Sequence, residues 1–144
     1  MKVLLDSSVL TAALIHSHPR HSDAIPWLQR AKTSALEFYC ATHSLAELYA
    51  ALTAMPLRPR ISPLTARRLV RENVEMAARL VPLSVADYST VLTKMESLQL
   101  AGGVIYDGLI AQAAIISQVD QLVTLNGKDF RRVWPEGISR IIEP

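Results

Sequence analysis

The sequence predicts an α/β fold, a mainly parallel twisted sheet of four to five short strands with helices on both faces. Three observations carry this. Short apolar runs alternate with segments whose apolar residues recur at helical spacing, which requires crossover connections and therefore parallel strands. No repeat, linker or low-complexity stretch interrupts the 144 residues, so residues 1–144 are expected to form a single domain. Half the residues are hydrophobic, and a chain of this length buries roughly 68–70% of its unfolded surface, enough for a core without staples.

The elements follow in order. Lys2 to Leu5 is an apolar run ending at Asp6, with Ser7 and Ser8 as cap residues, and reads as strand, sharp turn and helix. Val9, Leu10, Ala13 and Leu14 give that helix its buried face. Ser22 or Asp23 caps a second helix, with Ala24, Trp27, Leu28 and Ala31 inward. Glu37 to Thr42 reads as a buried strand rich in aromatic and small residues. Ser44 then opens a helix through the capping-box pattern S-L-A-E, with Glu47 at its third position and Leu45, Leu48, Tyr49 and Leu52 as its apolar stripe.

Three prolines make Met55 to Pro63 a loop. Ser62 and Pro63 restart a helix whose inward face is Ala66, Val70, Val74, Ala77 and Val81. Leu80 to Leu83 forms a brief strand, and Ser84 caps a helix with Tyr88, Val91, Leu92, Met95 and Leu98 on its buried side. Gly102 and Gly103 lead into the helix of Asp107, Leu109, Ile110, Ala113 and Ala114. Its period turns the Asp107 carboxylate toward protein rather than water, and an inward carboxylate is costly without a cation. Gln121 to Thr124 is a strand running into Asn126 and Gly127. Phe130, Val133 and Trp134 anchor a short turn, and Ser139 to Ile142 is a last edge strand.

The formal charge of +2 suits a mildly basic surface and is weak evidence of an anionic partner. Cys40 is the single cysteine, which excludes an intramolecular disulfide and a cysteine-only metal site and points to a reducing cytoplasm. MKVLLD is too short for a signal peptide, and no apolar run is long enough to span a bilayer, so no membrane association is expected.

In parallel α/β sheets ligands collect beyond the carboxyl ends of the strands. Asp6 lies at such an end, Glu47 follows the second strand by a short loop, and Asn126 follows the strand after the Asp107 helix. Each acid has a local reading too: Asp6 as a cap, Glu47 as half of the capping box, Asp107 as a favourable charge at a helix start. Convergence on one edge favours the joint reading. Close carboxylates repel unless they are protonated or share a cation, and oxygen ligands of this kind suit Mg²⁺ or Mn²⁺. The chemistry implied is metal-assisted phosphodiester hydrolysis.

LLDSSVL around Asp6, SLAELYAAL around Glu47, IYDGLIAQAA around Asp107 and LVTLNGKDF from Leu122 to Phe130 resemble, in order and over nearly the whole chain, the PIN-domain ribonucleases, and within them the toxins of VapBC toxin–antitoxin modules. The resemblance implies a metal-dependent endoribonuclease with Asp6, Glu47 and Asp107 as its acidic core. It also implies a cognate antitoxin as partner and a homodimer, with the helix faces around Leu48 to Leu52 as candidate surface. Ser7, Ser8 and Thr124 then support the site. Such proteins often carry an aspartate where Asn126 stands, so the fourth acid is either missing or replaced by Asp129, and one resident ion is the expectation.

The remaining polar residues divide more simply. His16, His18 and His21 flank Pro19 without ordered ligand spacing and read as a solvated loop. His43 reads as a structural or exposed residue rather than a general base. Arg68 with Glu72 and Glu75 with Arg79 have helical pairing distances. Arg58 and Arg60, in the proline-rich loop, and Lys128 and Arg131, after the fourth motif, are candidates for RNA phosphate contact. A catalytically degenerate domain that only binds RNA or protein is the alternative, suggested by Asn126. An aspartate-phosphorylating enzyme is disfavoured because Ser8 stands where a second aspartate is needed.

Overall fold

The computed structural model describes residues 1–144. Its centre is a five-stranded sheet of β1 (Lys2–Leu5), β2 (Glu37–Ala41), β3 (Arg79–Val81), β4 (Gln121–Val123) and β5 (Ile141–Ile142). All pairings are parallel, in the order β3-β2-β1-β4-β5, so β1 lies in the middle and the connections on its two sides run in opposite directions. That reversal opens a crevice at the carboxyl end of β1, the place where such sheets bind ligands.

Seven α-helices surround the sheet: α1 (Ser7–Leu14), α2 (His21–Lys32), α3 (Thr42–Ala54), α4 (Pro63–Val70), α5 (Val85–Ser97), α6 (Val104–Ile116) and α7 (Gly127–Val133). The strand pleat sorts them into two layers. Val3 and Leu5 of β1, with Phe38 and Cys40 of β2, pack against Leu10, Leu28, Leu48 and Val70 from the first four helices. Leu4, Tyr39 and Ala41 point the other way and meet Val91, Ile110, Ala114 and Phe130. The expected fold class holds, as do the strands at both ends of the chain.

Local departures from expectation have physical causes. β2 runs into α3 without a loop, with Ala41 at the N-cap and no side-chain cap. The anticipated Ser44 capping box therefore does not form. Ser44 is buried a turn inside the helix, where its hydroxyl has no hydrogen-bond partner. Ser84, by contrast, closes its capping box with Asp87. Arg20, not Ser22 or Asp23, holds the N-cap position of α2, and Asp23 in its first turn binds the Arg20 guanidinium at 2.7 Å.

After α4 the chain widens into one underwound π-helical turn, Arg71–Glu75, and leaves the helix before β3. Glu75 consequently pairs with Arg67, and Arg79 with Glu37, instead of with each other; Arg68 and Glu72 do pair, at 3.0 Å. Phe130 and Val133 belong to a two-turn helix, not a bare turn, and Tyr88 and Leu92 of α5 face outward. Leu48 and Leu52 are completely buried within the chain's own core. They cannot supply a dimer surface, and the outer side of α3 is formed by Ala46, Tyr49 and Ala50 instead. No helix is long and apolar enough to cross a membrane.

Candidate active site

Asp6 sits where β1 ends. Its backbone N–H donates to the Val123 carbonyl of β4 at 3.0 Å, which anchors the residue between the two central strands, and its carbonyl begins α1. The carboxylate makes no capping bond. It is turned inward instead, only 3% exposed, and its Oδ2 accepts hydrogen bonds from the Ser8 hydroxyl at 2.7 Å and the Thr124 hydroxyl at 2.8 Å. The same two hydroxyls accept from the backbone beyond β4: Ser8 Oγ from Leu125 N at 3.0 Å, and Thr124 Oγ1 from Asn126 N at 2.9 Å. The supporting residues expected from sequence thus tie the loop after β1 to the loop after β4.

Glu47 reaches the site because α3 starts at Thr42 and brings its sixth residue over the β1 end. Its Oε1 accepts from Ser7 Oγ at 3.5 Å and lies 3.8 Å from His43 Nε2. Asp107 enters from the first turns of α6, half-buried, where its Oδ2 accepts from the Asn126 amide at 3.1 Å. That amide also donates to Asp129 Oδ2 at 3.2 Å. Asn126 therefore bridges two carboxylates at the position where a fourth acid was expected, and Asp129 stands beside it, held by Arg132 at 3.0 Å. Arg132 holds the Asp129 carboxyl below the usual range.

The electrostatics follow from this crowding. Burial, and then the Asp6 charge, push Glu47 up to about 7, with the Ser7 hydroxyl pulling back. Burial also raises Asp107 to about 7, reinforced by the charges of Asp6, Asp129 and Glu47. Neither Asp6 nor Asp107 takes part in any of the chain's ion pairs, and Glu47 has only His43. Three carboxylates that feel one another's charge and lack a lysine or arginine partner are oxygen donors of the kind a hard divalent cation takes. Their side chains do not by themselves close into a group of three that would enclose an ion.

A cleft of about 490 Å³ opens beside this edge, lined among others by Ser7, Ser8, His18, Arg20 and Glu47. Arg58 and Arg60 are exposed around a separate hollow of about 350 Å³ in the proline loop. Lys128 is exposed near Asp129, while Arg131 is paired with Glu143 at 3.0 Å. The three loop histidines gather no metal site: His21 Nδ1 contacts the Ala12 carbonyl and His18 Nδ1 accepts from Arg20 N. One neighbour of the acids was not anticipated. Tyr106 stacks on His43, with ring centroids 5.3 Å apart and planes 7° from parallel.

A doubly wound parallel sheet with an acid at the end of its central strand and two more on helices beside it is the architecture of a known class: the chain belongs to the PIN-domain family, whose profile matches residues 3–134. Among curated relatives, it is 33% identical over 110 residues to Ribonuclease VapC27 of Mycobacterium tuberculosis, covering 76% of this chain and 74% of that one. Its fold is similar to the sarcin-ricin loop cleaving toxin VapC20 of M. tuberculosis (TM-score 0.68, 12% identity, 88% and 92% of the two chains covered). It is also similar to VapBC2 from Rickettsia felis, solved with a DNA fragment from its promoter (TM-score 0.63, 20% identity, 100% and 98% covered).

Proposed function

We propose that this protein is a divalent-metal-dependent endoribonuclease, the toxin of a type II toxin–antitoxin pair, with Asp6, Glu47 and Asp107 as its metal-binding and catalytic residues. The observation that carries the reading is Asp6: a carboxylate only 3% exposed, oriented by two hydroxyls and lacking any cationic side chain, beside two acids whose protonation its charge favours. Family membership and the identity to a curated ribonuclease support the reaction and the antitoxin partner.

The chain's own groups do the positioning. Ser8 and Thr124 hold Asp6 Oδ2 in one direction, Ser7 steadies Glu47, and Asn126 fixes Asp107. Mg²⁺ or Mn²⁺ bound by these acids supplies positive charge to offset the scissile phosphate and to acidify the attacking water. Asn126 presents an amide rather than a charge, which favours one resident ion. Arg58 and Arg60, exposed in the proline loop, and Lys128, exposed beside Asp129, would contact RNA phosphates, an interaction weakened by salt and blind to sequence.

Purified protein incubated with defined RNAs, with Mn²⁺ or with chelator, tests this directly. Cleavage at mapped sites is expected with metal only, and is lost in Asp6→Ala and Asp107→Ala while circular dichroism stays unchanged. Undiminished cleavage by Asp6→Ala sinks the assignment. Binding to RNA or to the antitoxin with no metal-dependent cleavage by the unmodified protein would favour the degenerate-domain reading that Asn126 raises.

A further inference from the structure

The stacked rings of Tyr106 and His43 have no role among the groups described so far. Tyr106 lies in the first turn of α6, immediately before Asp107, and is 51% exposed despite its size. His43 lies one helical turn before Glu47 on α3 and approaches its carboxylate to 3.8 Å. The two rings come from different helices and still meet in a nearly parallel stack. Ala46 and Ala50, the next residues along α3, are too small to cover them. A shallow cleft of about 380 Å³ is left, walled by the two rings, these alanines and Glu47. Its floor is apolar, and its one charged edge is an acid of the candidate active site.

We infer that the Tyr106–His43 pair is a stacking platform for one unpaired nucleobase of the RNA, the base next to the phosphate that the acids address. This rests on the nuclease reading above. The chemistry matches the occupant. A nucleobase is a flat, neutral, polarisable ring that gains by stacking on an exposed aromatic, and single-stranded RNA is recognised chiefly through bases splayed onto such side chains. The phosphodiester beside that base goes toward the carboxylates, while the base itself rests on the rings and the alanines and meets charge only at the Glu47 edge. Tyr106 and Asp107 are consecutive in one helix, so base and phosphate are held in fixed relation.

The test uses the full chain and single-stranded oligoribonucleotides carrying one abasic position moved stepwise across a mapped cut site. With unmodified protein, one position beside the cut is expected to raise KM about 5- to 140-fold, the usual worth of one stacked base. Tyr106→Ala should raise KM for the intact RNA similarly and become indifferent to the abasic position, whereas Tyr106→Trp restores both. A readout independent of cleavage is the fluorescence of 2-aminopurine at that position, quenched by the unmodified protein and not by Tyr106→Ala. If Tyr106→Ala cleaves with unchanged KM and an unchanged abasic profile, the platform is wrong and the nuclease stands. Quenching without cleavage leaves the platform and overturns the nuclease. Absence of both overturns both.

Discussion

At the scale of single residues, the site is a chain of short polar contacts in which each link restrains the next. Thr124 is the pivotal one, because its hydroxyl donates to Asp6 and accepts from Asn126 N while fully buried. Replacing it by valine keeps the shape, takes the acceptor from Asn126 N and leaves Asp6 Oδ2 with Ser8 alone, so Thr124→Val should lower stability by roughly 1–3 kcal/mol in urea unfolding and reduce cleavage with it. An unchanged urea midpoint would mean that water replaces the hydroxyl. Asn126→Asp tests the other end. It exchanges a donor shared by Asp107 and Asp129 for a fourth negative charge. Calorimetric titration should then show tighter Mn²⁺ binding or a second equivalent, with a less stable metal-free protein; identical titrations would place position 126 outside the ion's reach.

At the scale of elements, the site depends on how closely α6 lies against α5. A Cβ at Gly108 would stand 3.1 Å from Met95 Cε and 3.3 Å from Val91 Cγ1. Met95 is flexible enough to yield to one methyl, and alanine gains helix propensity, so Gly108→Ala should change stability little. Gly108→Val overpacks the crossing and should cost about 1–3 kcal/mol in thermal or urea unfolding, with lowered cleavage because Asp107 precedes it. The same packing explains what was legible in advance. Asp6 could be read from the sequence because an apolar run ending in an acid marks its own strand end, and Asp107 because two glycines and a helical period fix its side. Glu47 was singled out because it follows the second strand closely, and its rival reading as half of a capping box falls because β2 enters α3 without a loop, which nothing local reveals. The Tyr106–His43 stack was invisible, because it depends on the angle between two helices far apart in sequence. Within the candidate dimer surface around Leu48 to Leu52 the two leucines turn inward and Tyr49 and Ala50 outward, because an apolar stripe does not say whether it faces its own core or another chain.

At the scale of the whole molecule, the burial of the acids, reinforced by their mutual repulsion, makes stability depend on pH. Glu47 and Asp107 rise from 4.5 and 3.8 to about 7 in the folded state, so between those limits the folded chain holds more protons than the unfolded one. Stability from these groups is present below the unfolded values and is lost as pH climbs toward about 7. Thermal unfolding of metal-free protein should therefore show Tm falling across that interval, and added Mn²⁺ should raise Tm more at about pH 8 than at about pH 5.5, because binding needs the deprotonated acids. Equal rises at both values would mean that the ion is held elsewhere.

The position of β1 has a bearing on biosynthesis. β1 is the middle strand of the sheet, yet one of its two flanking strands, β4, comes late in the chain, and the hydroxyl of Thr124 that orients Asp6 is made 118 residues after Asp6 itself. With translation proceeding at about 5–20 residues per second, several seconds separate the two. Until Thr124 is made, Asp6 lacks one of the two hydroxyls that orient it, so the polar frame of the site closes late, by a contact between segments far apart in the chain.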